Sequence, residues 1–191
     1  NQDKLPDNVT TYNQEQIINE FYSKLDDKIK TVNVTDILIE NKDEYIYFKT
    51  DHHMTSFGAY LAYMKYCSVA NIEAEKLSNF ERKTVSTKFL GTFDSKAQIP
   101  NQEKDIIEIY INQKNSEIKS AEYDNETTKS IFNTEYLDKK DKYSFFLNGN
   151  NAKVVVKTNV ENGKKLLVIK DSYAHIMAQF ICQNYEEIHF I

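Results

Sequence analysis

The stretch Leu166-Leu-Val-Ile-Lys-Asp-Ser172-Tyr-Ala-His-Ile-Met-Ala-Gln-Phe-Ile-Cys182, with Ile188-His-Phe-Ile191 just beyond it, decides how the chain is read. An unbroken aliphatic run of this kind is typical of a strand covered on both faces of a parallel sheet. The run stops at Lys170-Asp171-Ser172. From Tyr173 to Cys182 apolar residues return at helical spacing, at Ile176, Phe180 and Ile181, and another strand starts at Ile188. Strand, helix and strand with short joints argue for an α/β domain. The expectation is one three-layer α/β/α sandwich over residues 1–191, with a mainly parallel sheet.

Working outward, Val154-Val-Val156 and the turn at Asn162-Gly163 supply a strand before the deciding stretch. Gln14 to Lys30 carries Ile17, Ile18, Phe21, Tyr22, Leu25 and Ile29 at the spacing of an amphipathic helix. Thr31–Ile39 and Tyr45–Phe48 suggest two short strands, and Gly58–Cys67 a helix capped by Thr55 or Ser56. The pattern weakens between Leu77 and Pro100. From Asn101 to Tyr143 only Ile106–Ile111 is an apolar run, which predicts an irregular insertion or long lid.

Composition bounds the function. The 191 residues are 40% hydrophobic and 13% aromatic, enough for a core despite a mean hydropathy of −0.63. A net charge of −5 offers a phosphate backbone no global attraction, so nucleic acid is not an expected partner. No apolar run approaches the roughly 20 residues that span a bilayer. Cys67 and Cys182 are too few for a disulfide framework or a zinc site. Asn8, Asn33 and Asn125 each begin a glycosylation pattern, as expected by chance in an Asn-rich chain. The start at Asn1 and the end at Ile191 in a strand-like run suggest a piece of a longer polypeptide, truncated at its C-terminus.

Chemistry concentrates in Asp51-His52-His53, which sits between a strand and a helix, where open α/β sheets place their ligands. On an extended backbone, Asp51 and His53 share one face and His52 takes the other. A carboxylate on one imidazole nitrogen fixes the tautomer and leaves the other as a general base. His53 is then the base and Asp51 its orienter. The other sharp junction, Asp171-Ser172, offers a nucleophile above a helix N-terminus, although a lone serine there is more often only a cap. A metal is the competing use of Asp-His-His. Adjacent residues cannot all face one ion, however, and the only other histidines are His175 and His189, so no metal or cofactor is expected.

The run Tyr45-Ile-Tyr-Phe-Lys-Thr-Asp-His-His-Met-Thr-Ser-Phe-Gly-Ala-Tyr60 resembles the signature of the bacterial DHHW family. Phe89-Leu-Gly-Thr-Phe-Asp-Ser-Lys96, Phe146-Leu-Asn-Gly-Asn150 and Leu166-Leu-Val-Ile-Lys-Asp-Ser-Tyr-Ala174 look like its later blocks, in the same order. That family is similar to the SGNH hydrolase superfamily, especially its alginate O-acetyltransferase branch. The resemblance implies an SGNH hydrolase-like fold and a triad of Asp51, His53 and Ser172, with Gly91 and Asn150 lining an oxyanion hole. Met54 stands where the family has Trp, His175 where Asn is more usual, and Asn148 where Gly is common. One helical turn from Ser172, His175 could reach the site, but the expectation is a place on the helix surface.

The resemblance further implies acyl transfer to, or ester hydrolysis on, a cell-envelope or extracellular polysaccharide. A membrane-bound acyl donor protein would be a partner, and the domain would be secreted or membrane-tethered at the bacterial cell surface. With no Trp and 13 Tyr, tyrosine is the candidate for holding sugar rings. The alternative is a catalytically degenerate domain that binds polysaccharide or a partner without turnover.

Overall fold

The computed structural model describes residues 10–112 and 117–191, so the pattern at Asn8 lies outside the described residues. Helix α1 spans Gln14–Tyr22 and is capped by Asn13, whose side chain accepts the Gln16 N–H at 3.0 Å. It stops well short of Lys30: past Ser23 the Lys24 and Leu25 N–H groups turn to the Phe21 and Tyr22 carbonyls, i−3 bonds that close the helix. Residues 31–39 do not form the expected strand. Asn33 Oδ1 accepts the Thr35 N–H and turns the chain into α2, Thr35–Glu40.

The next segment folds back on itself. An antiparallel bridge joins Tyr47 to Met54, flanked by Phe48 N–H to the His53 carbonyl and Thr55 N–H to the Ile46 carbonyl. Residues 49–52 are therefore the tip of a tight loop, from which α3, Ser56–Ala70, leaves directly. Thr55 caps α3 as expected, accepting from the Gly58 N–H. Gly58 has to be small, since a Cβ there would run into the Ile46 carbonyl.

Strands β1 (Glu81–Phe89) and β2 (Asp105–Ile111) form an antiparallel pair, linked through the short helix α4, Thr92–Ala97. The second sheet contains β3 (Ile118–Glu122), β4 (Thr127–Thr128), β5 (Val154–Thr158), β6 (Lys165–Val168) and β7 (Glu187–Phe190). Its order is β4-β3-β5-β7-β6. Helix α5, Tyr173–Ile181, links β6 to β7, and those two strands alone in the sheet are parallel.

The mainly parallel three-layer sandwich is therefore incorrect. One sheet is antiparallel and the other mixed, because β5 runs antiparallel to both β3 and β7. Nor is 101–143 an irregular insertion, since it contributes β2 to one sheet and β3 and β4 to the other. The apolar run at 166–169 misleads for a physical reason. Among the described residues it lies at a sheet edge, where Leu167 is 60% and Ile169 83% exposed.

Helix α5 is the wall shared by two cores. Ile176 and Phe180 pack with Tyr60, Tyr63, Phe80 and Tyr110, while Ala178, Ile181 and Cys182 pack with Val154, Val156, Ile188 and Phe190. Buried Gln179 fixes its height, taking the Tyr110 N–H at 2.9 Å and donating to Ser56 Oγ at 3.1 Å. Ser56 Oγ in turn donates to the Glu108 carbonyl at 2.5 Å, so β2, α3 and α5 meet in one satisfied polar knot. Among the described residues no helix is long and apolar enough to cross a membrane.

Phe180 is fully buried and touches four aromatic rings, those of Tyr60, Tyr63, Phe80 and Tyr110. Phe180→Ala should lower the unfolding free energy by about 3–5 kcal/mol, read from the urea midpoint at unchanged slope. A loss under about 1 kcal/mol would show that α5 is not the shared wall.

Candidate active site

The loop tip is held by a residue far away in sequence. Buried Asp105, at the start of β2, accepts the Lys49 N–H at 2.8 Å, the Thr50 N–H at 2.8 Å, the Thr50 hydroxyl at 2.5 Å and the Tyr45 hydroxyl at 2.5 Å. Thr50 passes the constraint on, since its carbonyl takes the N–H groups of Phe93 and Asp94 and its Oγ1 takes that of Gly91. Loop tip and α4 are thereby locked together, and Asp51 is fixed between them.

Asp51 is 3% exposed. Its Oδ1 accepts the His53 N–H at 3.0 Å and lies 2.5 Å from His53 Nδ1, and its Oδ2 accepts the Thr92 N–H at 2.8 Å. Burial alone would raise this carboxyl. The bonds from the His53 ring, the Thr92 N–H and the His53 N–H outweigh it and hold the carboxyl well below the usual carboxylate range. An ionised Asp51 keeps the proton on Nδ1 and leaves Nε2 with its lone pair. That nitrogen stands 2.7 Å from Ser172 Oγ. Ser172 opens α5 yet makes no side-chain capping bond, so its hydroxyl is directed at the imidazole and not at its own helix.

The structure thus brings Asp51, His53 and Ser172 into one hydrogen-bonded line. It does not bring Gly91 or Asn150 to the serine. The Gly91 N–H is committed to Thr50, and the residue lies against the Asp51 carboxylate, where any Cβ would collide with it. Asn150 is exposed in a polar recess with Tyr123, Glu126, Lys139 and Asn151. His52 does not take the opposite face. Its ring lies 3.9 Å from that of His53 between centroids, and its Nδ1 meets Thr92 Oγ1 at 2.8 Å.

Tyr143 and Tyr173 carry no signal in the sequence that would single them out. Tyr143, from a short 3₁₀ turn, stacks on the His53 ring at 3.6 Å and 8° and donates its hydroxyl to the Ser172 carbonyl at 3.0 Å. Tyr173 donates its hydroxyl to the His52 carbonyl at 2.5 Å, tying the first turn of α5 to the loop. His175, expected at the helix surface, is 3% exposed. Its Nε2 lies 2.7 Å from Lys170 Nζ, and burial, then the Lys170 charge, then the proximity of His53 lower its pKa to about 4. It is a neutral acceptor for the lysine.

The ligand atoms of Asp51, His52 and His53 all lie within 4.8 Å of one another. As a cation site this set fits poorly. Both Asp51 oxygens, His53 Nε2 and His52 Nδ1 are engaged by Thr92, His53 and Ser172.

A family model described as DHHW protein matches residues 2–191. No curated protein sequence matches the chain. A DHHW family protein from Eubacterium siraeum DSM 15702 superposes with a TM-score of 0.82 at 28% identity, covering 97% of this chain and 64% of that one. Bacillus cereus PatB1 with a sulfonyl adduct gives 0.78 at 19% identity, covering 100% and 67%. The O-acetyltransferase domain of Pseudomonas putida AlgJ gives 0.50 at 10% identity, covering 99% and 57%. The chain thus shares a fold with an O-acetyltransferase domain and spans 64% of the length of the E. siraeum protein.

The depressed His175 sets a pH window. The unfolded imidazole binds its proton near pH 6.5 and the folded one only near 4, so its contribution is complete above 6.5 and is lost as pH falls towards 4. Wild type should lose up to about 3 kcal/mol of stability across that window, and His175→Asn should flatten the slope there. Asp51, held low, acts further down, below the ordinary carboxylate value of about 3.9. Urea titrations at pH 7 and 4.5 measure the difference, and equal slopes in both proteins would remove His175 as its source.

Proposed function

Because the chain belongs to the DHHW family, we propose that it carries out acyl chemistry at Ser172, transferring an acetyl group to a carbohydrate hydroxyl or to water. The observation that carries this is the 2.7 Å approach of His53 Nε2 to Ser172 Oγ, with Asp51 on the far nitrogen. Support also comes from the fold shared with an O-acetyltransferase domain and with a protein that holds a sulfonyl adduct.

In the proposed cycle Ser172 Oγ attacks the carbonyl carbon of an acetyl ester while His53 Nε2 takes its proton. The imidazolium is stabilised by Asp51, which stays ionised. Collapse of the tetrahedral intermediate expels the alcohol, which receives its proton from His53, and leaves acetyl on Ser172. An acceptor hydroxyl, deprotonated by His53, then attacks the acyl carbon, and as the bond to Ser172 Oγ breaks His53 returns the proton to that oxygen. The oxyanion would face the Ser172 N–H at the start of α5, since the Gly91 N–H is occupied.

A carbohydrate acceptor makes the protein a transferase, and water makes it an esterase. The proposal extends to a polysaccharide acceptor, a location at the bacterial cell surface and a membrane-bound protein as acyl donor. Retention of an acetyl group by an added oligosaccharide would separate transferase from esterase.

Ser172→Ala should reduce acetyl release from a chromogenic ester by about 10³-fold or more and abolish labelling by a serine-directed phosphonate. Wild-type turnover in that variant would rule out the nucleophile. An unlabelled, inert wild type would favour the binding domain.

A further inference from the structure

One side chain touches both His53 and Ser172 of the proposed site. The Tyr143 ring lies parallel to the His53 imidazole, with centroids 3.6 Å apart and planes at 8°. Its hydroxyl, at the other end of the same rigid ring, donates to the Ser172 carbonyl at 3.0 Å. The His175 N–H reaches that carbonyl too, at 3.2 Å, so the first turn of α5 is fixed from two sides. Tyr143 itself is only 5% exposed, wedged among Phe48, Phe146 and His175.

Resting on the acyl-transfer proposal, we infer that Tyr143 is a positioning residue: its ring sets the plane of His53, and its hydroxyl sets where Ser172 stands relative to that plane. The Asp51 bond holds one imidazole nitrogen but does not by itself fix both side-chain torsions that set the ring plane. A flat ring against one face removes that freedom. The Ser172 hydroxyl has its own rotational freedom, and its backbone must be held if Oγ is to meet Nε2. One phenol imposes both conditions at once, so a change in its place misaligns base and nucleophile together.

His175 lies 6.3 Å from the Tyr143 ring between centroids, with planes at 20°. With Lys170 Nζ at its Nε2, His175 is a neutral acceptor, and the positive charge on this side is the lysine's, one imidazole ring further from Tyr143.

The test reads the rate constant for phosphonate labelling of Ser172 by intact mass, whose amplitude separately reports the folded fraction. Tyr143→Leu, which removes the plane, should label about 10²-fold more slowly at full amplitude, the size expected of an ångström-scale misplacement. Tyr143→Phe keeps the plane and loses one neutral hydrogen bond, so it should recover most of that loss and label about 3- to 10-fold more slowly than wild type. In wild type, the His53 ring protons should be shifted upfield by the Tyr143 ring current and show a nuclear Overhauser contact to it, and the upfield shift should vanish in Tyr143→Leu. A Tyr143→Leu protein that labels at the wild-type rate overturns the inference. So does absence of the His53–Tyr143 contact in wild type, a measurement that needs neither a variant nor any activity. Should wild type fail to label while that contact is present, the acyl-transfer proposal falls and the positioning of His53 stands.

Discussion

Everything at the site hangs on the buried carboxylate of Asp105. A desolvated anion is costly unless donors surround it, and here two backbone N–H groups and two hydroxyls, from Tyr45, Lys49 and Thr50, do so. Those donors belong to the loop that precedes Asp51, so the anion organises the loop by the same bonds that make its burial tolerable. Thr50 then holds the N-terminal turn of α4, and α4 presents the Thr92 N–H to Asp51. One charge at the start of a strand thus fixes a second charge beside an imidazole. A buried anion whose bonds are all made imposes a single geometry, since any other arrangement strips it of partners.

The second organising device is the stack of Tyr143 on His53, with His175 nearby. It gives the site a preferred charge state as well as a shape. Ionised Asp51 favours a proton on the near nitrogen of His53, while burial and Lys170 keep His175 uncharged. Positive charge arising at His53 therefore meets an anion on one side and a neutral aromatic ring on its face. Tyr143 contributes as a phenol that stays protonated, because burial raises its pKa well above the ordinary value.

What could be read from the residues alone follows from where their signals lie. Asp51 and His53 sit beside a well-capped helix, and Ser172 separates an apolar run from a helical period, so both junctions were visible and the structure makes them neighbours. The sheet arrangement was not visible. Strand β1 is Glu-Arg-Lys-Thr-Val-Ser-Thr-Lys-Phe, almost wholly solvent-facing and without an apolar alternation to find. Strand β6 has the aliphatic run of a central strand but lies at an edge. Asp105 and Tyr143 looked ordinary because their roles depend on partners 55 and 29 positions away, at Thr50 and Ser172. Gly91 marked a real constraint of a different kind, since its missing side chain leaves room for a carboxylate.

The bond between Ser172 and His53 closes a loop of 119 residues, one of the most distant pairings in the chain. Bringing such ends together carries a loop-closure entropy, and contacts of this range tend to be made late in folding. During synthesis the imidazole and its acid emerge long before the alcohol does, and α5 can only seat against α3 and β2 once both are formed. A half-made polypeptide consequently lacks the Ser172–His53 pair, which forms only as the native state is reached.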